Sequence, residues 1–146
     1  VAGYPMQDIK VAITDGKHHP VDSKEVAFRT AGKNAFLDAV QKAKPALLEP
    51  IAQMEITIPA EHMGDIVSDL TSRRGRIQGQ DVLPGNMALI QAQAPLSEVM
   101  MYDSQLRSVT GGRGSYTMDF SHYEPVPGNV QQQIIAQAKR KDEEEK

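Results

Sequence analysis

Between Gln53 and Tyr123 the apolar residues keep changing their spacing, and that succession leaves few folds open. Residues 53–58 place Met54, Ile56 and Ile58 on one side, the period-two pattern of a half-buried strand. Residues 61–74 then carry Met63, Ile66, Val67 and Leu70 at i, i+3, i+4 and i+7, which is one face of a helix. Residues 76–83 read as a second strand closed by the turn signal Pro84-Gly85-Asn86, and residues 87–94 as a third. Ser97 is placed to cap a helix with Val99, Met100 and Leu106 apolar, which stops at Gly111-Gly112. Residues 115–123 form the last strand, with Tyr116, Met118 and Phe120 expected to face inward.

The order is βαββαβ, the split-βαβ arrangement of a ferredoxin-like domain, so the expected class is α+β. That fold hosts many functions and names none of them. One can be tested directly, because RNA-recognition versions stack bases on sheet-face aromatics within a defined motif. Arg113-Gly114-Ser115-Tyr116-Thr117-Met118-Asp119-Phe120 begins and ends like that motif but fails between, and it lies on the fourth strand instead of the third. Its aromatics share the face of Met118, while the other face offers Gln53, Glu55, Thr57, Ser115, Thr117, Asp119 and Ser121. Such a face repels a phosphate backbone, and an RNA-recognition motif is excluded.

Upstream, residues 8–14 alternate strictly, with Ile9, Val11 and Ile13 on one face, so a strand is expected there. Asp15-Gly16 turns the chain into the polar segment Lys17-His18-His19-Pro20. Asp22-Ser23-Lys24-Glu25 resembles a capping box, and the helix after it is expected to bury Phe28, Ala31, Ala35, Phe36, Ala39 and Ala43. One strand and one helix do not close a core, so residues 1–50 read as half of a βαβ-type domain. Lys44-Pro45-Ala46-Leu47-Leu48-Glu49-Pro50, with prolines at both ends, is the connector to a second domain over residues 51–124. Residues 125–146 are expected to be a largely disordered extension, weakly helical over 130–138 and ending in a run with four charges of each sign. The chain opens on Val1, which suggests processing or a piece of something longer.

Charge narrows the function classes. Residues 1–50 sum to seven cations minus six anions, and residues 51–124 to five arginines minus nine acids. With the balanced tail the total is −3, too mild for a general nucleic-acid binder. The chain has no cysteine, so disulfides, thiolate metal sites and cysteine nucleophiles are all absent. No apolar run approaches the roughly 18 residues of a membrane span, and no membrane partner is expected. Gly16-Lys17 and Gly32-Lys33 lack the upstream glycine and following hydroxyl of a phosphate-binding loop. No dinucleotide fingerprint, zinc-protease motif or nucleophile elbow occurs, so no catalytic residue is assigned. Asp15, His18, His19, Asp22 and Ser23 form the one polar cluster, but capping explains Asp22 and Ser23, and adjacent histidines diverge; no metal site is assigned. Arg73-Arg74-Gly75-Arg76 has two readings: cations completing a helix dipole, or a fork of guanidiniums on phosphates.

Several segments resemble the C-terminal end of translation elongation factor G, the ribosomal translocase. Gly3-Tyr4-Pro5, Asp15-Gly16-Lys17-His18-His19-Pro20-Val21-Asp22-Ser23-Lys24-Glu25-Val26-Ala27-Phe28 and Pro45-Ala46-Leu47-Leu48-Glu49-Pro50-Ile51 are similar to the second half of its domain IV. Ile58-Pro59-Ala60-Glu61-His62-Met63-Gly64-Asp65, Asp69-Leu70-Thr71-Ser72-Arg73-Arg74-Gly75, Ala94-Pro95-Leu96-Ser97-Glu98 and Leu106-Arg107-Ser108-Val109-Thr110-Gly111-Gly112-Arg113-Gly114 resemble its domain V. So does Phe120-Ser121-His122-Tyr123. The resemblance implies a cytoplasmic protein whose partners are the small-subunit decoding region, with transfer and messenger RNA, and the large-subunit stalk base. It implies that the tip loop Gly16, Lys17, His18 and His19 enters the decoding region, and that Arg73, Arg74 and Arg76 contact ribosomal RNA. Pro20 departs from the acid usual after the tip histidine. GTP and magnesium belong to the G domain of the family, which this sequence does not contain, so the chain is expected to hold no cofactor and to hydrolyse nothing. A recycling paralogue, a ribosomal-protection protein and a free-standing regulatory module binding a small molecule are the alternatives.

Overall fold

Alternation needs a neighbouring strand to become a sheet, and the two halves of this chain differ in that respect. The computed structural model describes residues 2–144. In chain order the elements are α1 (Glu25–Lys42), β1 (Leu48–Pro59), a 3-10 turn (Ala60–His62), α2 (Met63–Ser72), β2 (Arg76–Leu83), β3 (Met87–Pro95), α3 (Leu96–Val99), α4 (Tyr102–Thr110), β4 (Ser115–Pro125) and α5 (Gly128–Glu144). They fall into two compact units: Leu48–Val126 is one, and the residues up to Leu47 together with those from Pro127 onward are the other.

In the Leu48–Val126 unit the strands form one antiparallel sheet in the order β2-β3-β1-β4, the ferredoxin-like arrangement expected. Met54, Ile56 and Ile58 of β1 and Ala88, Ile90, Ala92 and Ala94 of β3 form one buried face. Ile66 and Leu70 of α2, Val99 of α3, and Tyr102 and Leu106 of α4 close over it. The alanines of β3 leave room for the helices, and each fully buried Ile or Leu stabilises the unit by about 1.5–3 kcal/mol. The opposite face carries a glutamine ladder: Gln93 donates to Gln53 (3.0 Å), Gln53 to Gln78 (2.8 Å) and Gln91 to Glu55 (3.2 Å).

Several local expectations are corrected here. Phe120 does not share the shelter of Tyr116 and Met118 but is 61% exposed. The β1–β4 register slips between Ile51 and Ala52, so that Ile51 faces His122 and Ala52 faces Phe120, and Ser121 is the extra residue. Ser97 lies inside α3, whose N-cap is Pro95 and has no side-chain bond, and a break at Met100-Met101 separates α3 from α4. Gly111, with φ of 61°, ends α4 as its sequence signals.

In the other unit the expected strand over residues 8–14 is not formed: Ile9, Val11 and Ile13 are exposed, with no strand partner among the described residues. The α1 helix forms, but none of its residues is buried, in contrast to the expectation for Phe28, Ala31, Ala35, Phe36 and Ala39, and Ala43 beyond it is exposed as well. Nor does the capping box form; Lys24 is the N-cap and makes no side-chain bond. Helix α5 covers the stretch 130–138 expected to be weakly helical and runs on to Glu144, into residues where disorder was expected, and Glu145 and Lys146 of that tail lie outside the described residues. Its Gln, Lys, Arg and Glu residues are strong helix formers, and Lys139/Glu143 and Arg140/Glu144 stand at supportive i,i+4 spacing. Gln131 fastens α5 to the connector by accepting from the Leu47 N–H (3.3 Å) and donating to the Pro45 carbonyl (3.4 Å).

Candidate functional site

The tip loop is shaped by bonds within itself. The His19 N–H donates to Ser23 Oγ (2.7 Å) and the Ser23 N–H returns a bond to the His19 carbonyl (3.0 Å), which closes residues 19–23 into a small ring. Ser23, assigned from sequence to the helix cap, thus holds the loop instead. The Val21 N–H donates to His19 Nδ1 (3.3 Å), and an Asp22 carboxylate oxygen lies 3.4 Å from the same nitrogen. In the neutral ring an accepting Nδ1 puts the proton on Nε2, which is then the donor of the ring. The His19 side chain is 67% exposed, and Gly16, Lys17 and His18 are exposed beside it. This loop can donate to a phosphate, ribose or base, with Lys17 adding a cation; it holds no nucleophile and base arranged for covalent chemistry.

The three arginines sit in the other unit, and the chain's own acids hold all of them. Arg73 Nε donates to Asp69 (3.0 Å), its Nη1 donates to the Glu98 carbonyl (2.9 Å), and its guanidinium lies 5.7 Å from the Tyr102 ring centre. Arg74 Nη2 donates to both oxygens of Glu49 (2.7 and 2.6 Å), and its Nε lies 3.6 Å from Glu98. Arg76 pairs with Glu124, whose other partner is His122 Nε2 (2.8 Å). The bond from His122 and then that from Arg76 hold the Glu124 carboxyl below the usual carboxylate range. Arg73 and Arg74 are half-buried, whereas Arg76 is 59% exposed.

The backbone explains why the cluster has this shape. At the end of α2 the Gly75 N–H reaches the Leu70 carbonyl (2.8 Å) and the Arg74 N–H reaches Thr71 (3.2 Å), a Schellman closure. That motif puts its left-handed residue at position 74, where φ is +61°. A non-glycine residue there costs about 1–2 kcal/mol. Glycine stands one position later, where a Cβ would lie 2.6 Å from the Leu70 carbonyl oxygen.

Comparison with known proteins also divides the chain near residue 45. Residues 46–134 match the family described as Elongation factor G C-terminus, and residues 1–44 match Elongation factor G, domain IV. The chain belongs to the elongation factor G family. A crystal structure of a protein from Thermus thermophilus is 41% identical over 86% of this chain, with a TM-score of 0.68. This elongation factor G segment spans 19% of the length of that protein.

The structure brings Arg73, Arg74 and Arg76 to one end of the sheet, in the unit that does not contain the tip loop. Asp69, Glu49, Glu98 and Glu124, which hold the arginines, and His122, the second partner of Glu124, were not singled out from the sequence as partners of that cluster. Their signal was weak: nine acids against five arginines in one block says that arginines find partners, not which ones. No group of three or more His, Asp or Glu among the described residues could hold a metal ion, and no helix there is long and apolar enough to cross a membrane.

Proposed function

We propose that this chain is the ribosome-contacting C-terminal part of an elongation factor G-like GTPase that promotes movement of transfer and messenger RNA during protein synthesis in the cytoplasm. The observation that carries the reading is the tandem match, in order, to domain IV and the C-terminal domain of that family. In the intact factor the G domain supplies GTP hydrolysis, and the segment described here supplies contacts. The His19 loop supports a decoding-region role by its chemistry: a braced turn with an exposed imidazole and a neighbouring lysine suits phosphate and ribose oxygens. Of Arg73, Arg74 and Arg76, Arg76 is the most exposed and is the direct ribosomal RNA contact of this reading.

The test uses the intact parent factor with His19→Ala. Slowed translocation with GTP hydrolysis retained supports the proposal. Unchanged translocation refutes the role of the loop. A parent that splits ribosomes without translocating them is the recycling paralogue, and one that ignores ribosomes has kept the fold without the function.

A further inference from the structure

We propose that Arg74 is a positioning residue: it fixes the shape in which the end of α2 is presented to ribosomal RNA and supplies no charge to that RNA. The inference rests on the ribosome reading above and deepens it. Three features of the chain lead to it.

The first is charge. Around the turn stand three guanidiniums, Arg73, Arg74 and Arg76, against four carboxylates, Asp69, Glu49, Glu98 and Glu124. The cluster as a whole carries no surplus positive charge, so exposure decides which guanidinium can reach a phosphate, and Arg74 at 27% is far more covered than Arg76 at 59%. The second is geometry. Arg74 is half-buried and uses one nitrogen for both oxygens of Glu49, while its Nε lies nearest Glu98. One side chain thus ties the turn to the start of β1, while its buried Nε makes no hydrogen bond among the described residues and only approaches Glu98 of α3. Glu49 also stands directly opposite Glu124 in the β1–β4 register, a like-charge pair that Arg74 and Arg76 neutralise from either side.

The third feature is the backbone. Position 74 is left-handed, and the next residue has no room for a Cβ, so the chain can leave α2 by few other routes. A glycine at position 74 would satisfy the backbone with no strain. An arginine there needs a reason in its side chain, and the fork on Glu49 provides one.

The experiment measures ribosome binding by the intact factor across a salt series for wild type, Glu49→Gln, Arg74→Lys and Arg74→Gly. Glycine accepts the left-handed backbone, so the last variant keeps its fold. Hydrogen exchange of the amides at residues 73–76 is followed in parallel. The proposal expects all three variants to bind several-fold more weakly with the salt slope of wild type, and the turn amides to exchange faster. It is overturned if Glu49→Gln binds as well as or better than wild type, Arg74→Lys keeps binding, and Arg74→Gly lowers the slope by about 0.7–0.9, the signature of one lost phosphate contact. If wild type binds no ribosome, the translation reading fails. The exchange data then decide alone: unchanged exchange at residues 73–76 in the variants overturns the positioning role, and faster exchange upholds the hold of Arg74 on the turn.

Discussion

Tyr102 is fully buried in the core, and its hydroxyl has no hydrogen-bond partner among the described residues. Burial first, and the Asp69 carboxylate second, push its pKa up from the ordinary 10.0. A folded value above the unfolded one means that stability is fully present below about pH 10 and is lost as the pH rises beyond it. Tyr102→Phe removes the unsatisfied hydroxyl and keeps the ring, which meets Tyr116 edge-on at 5.7 Å and lies beside Arg73. We expect this variant to be as stable as wild type at neutral pH, or up to about 1 kcal/mol more stable. Above pH 10 it should hold its structure better, as read by denaturant titration at several pH values. Gly75→Ala should do the opposite. Its Cβ would meet a backbone oxygen at 2.6 Å, which no side-chain rotation can relieve, so a loss of about 2–3 kcal/mol is expected in the same assay.

At the scale of elements, what could be read in the sequence was whatever a neighbour in the same stretch enforces. The strand over residues 76–83 has the bounds of β2, closed by the turn at Pro84-Gly85-Asn86, and residues 87–94 differ from β3 by one residue, with Ala88, Ile90, Ala92 and Ala94 in the core. Phe120 keeps the register of Tyr116 and Met118 and is exposed all the same, and the extra residue at Ser121 comes only after it; no local pattern marks either feature. The arginine cluster was visible as three cations near a helix end, but apart from Asp69 its carboxylate partners come from positions 49, 98 and 124, far off in sequence. The failed capping box shows a competition: Ser23 could bond the helix N-terminus or the His19 N–H, and it takes the latter. That choice leaves α1 with no side-chain cap and no buried residue, so its stability rests on propensity. Gly32 stands in its interior with nothing within 4 Å of an added Cβ. Gly32→Ala should therefore favour α1 by about 0.5–1 kcal/mol, visible as increased helical signal in far-ultraviolet circular dichroism.

At the scale of the whole molecule, the contrast between the units is one of burial. The Leu48–Val126 unit holds the contiguous core, whereas residues 8–14 pair with nothing among the described residues. Hydrogen exchange on the full chain should accordingly be two-tiered, with amides of β1 and β3 slowest and those of residues 8–14 exchanging near the unfolded rate. Equal protection in both would mean that residues 8–14 find a partner in solution. Tandem placement of the two family segments was legible because whole motifs survive in order. The chain divides at Leu47, within the proline-flanked connector, whereas the return of Gln131 to Pro45 and Leu47 from 84 residues away or more has no local signal. The pairing of Leu48 with Pro125 has a separate consequence. The first and last strands of the Leu48–Val126 unit begin and finish side by side, about 5 Å apart at the backbone. A short glycine-containing link from Val126 back to Leu48 would close that unit into a covalent ring, and fresh termini could then be opened at the exposed Pro84-Gly85-Asn86 turn without cutting a strand.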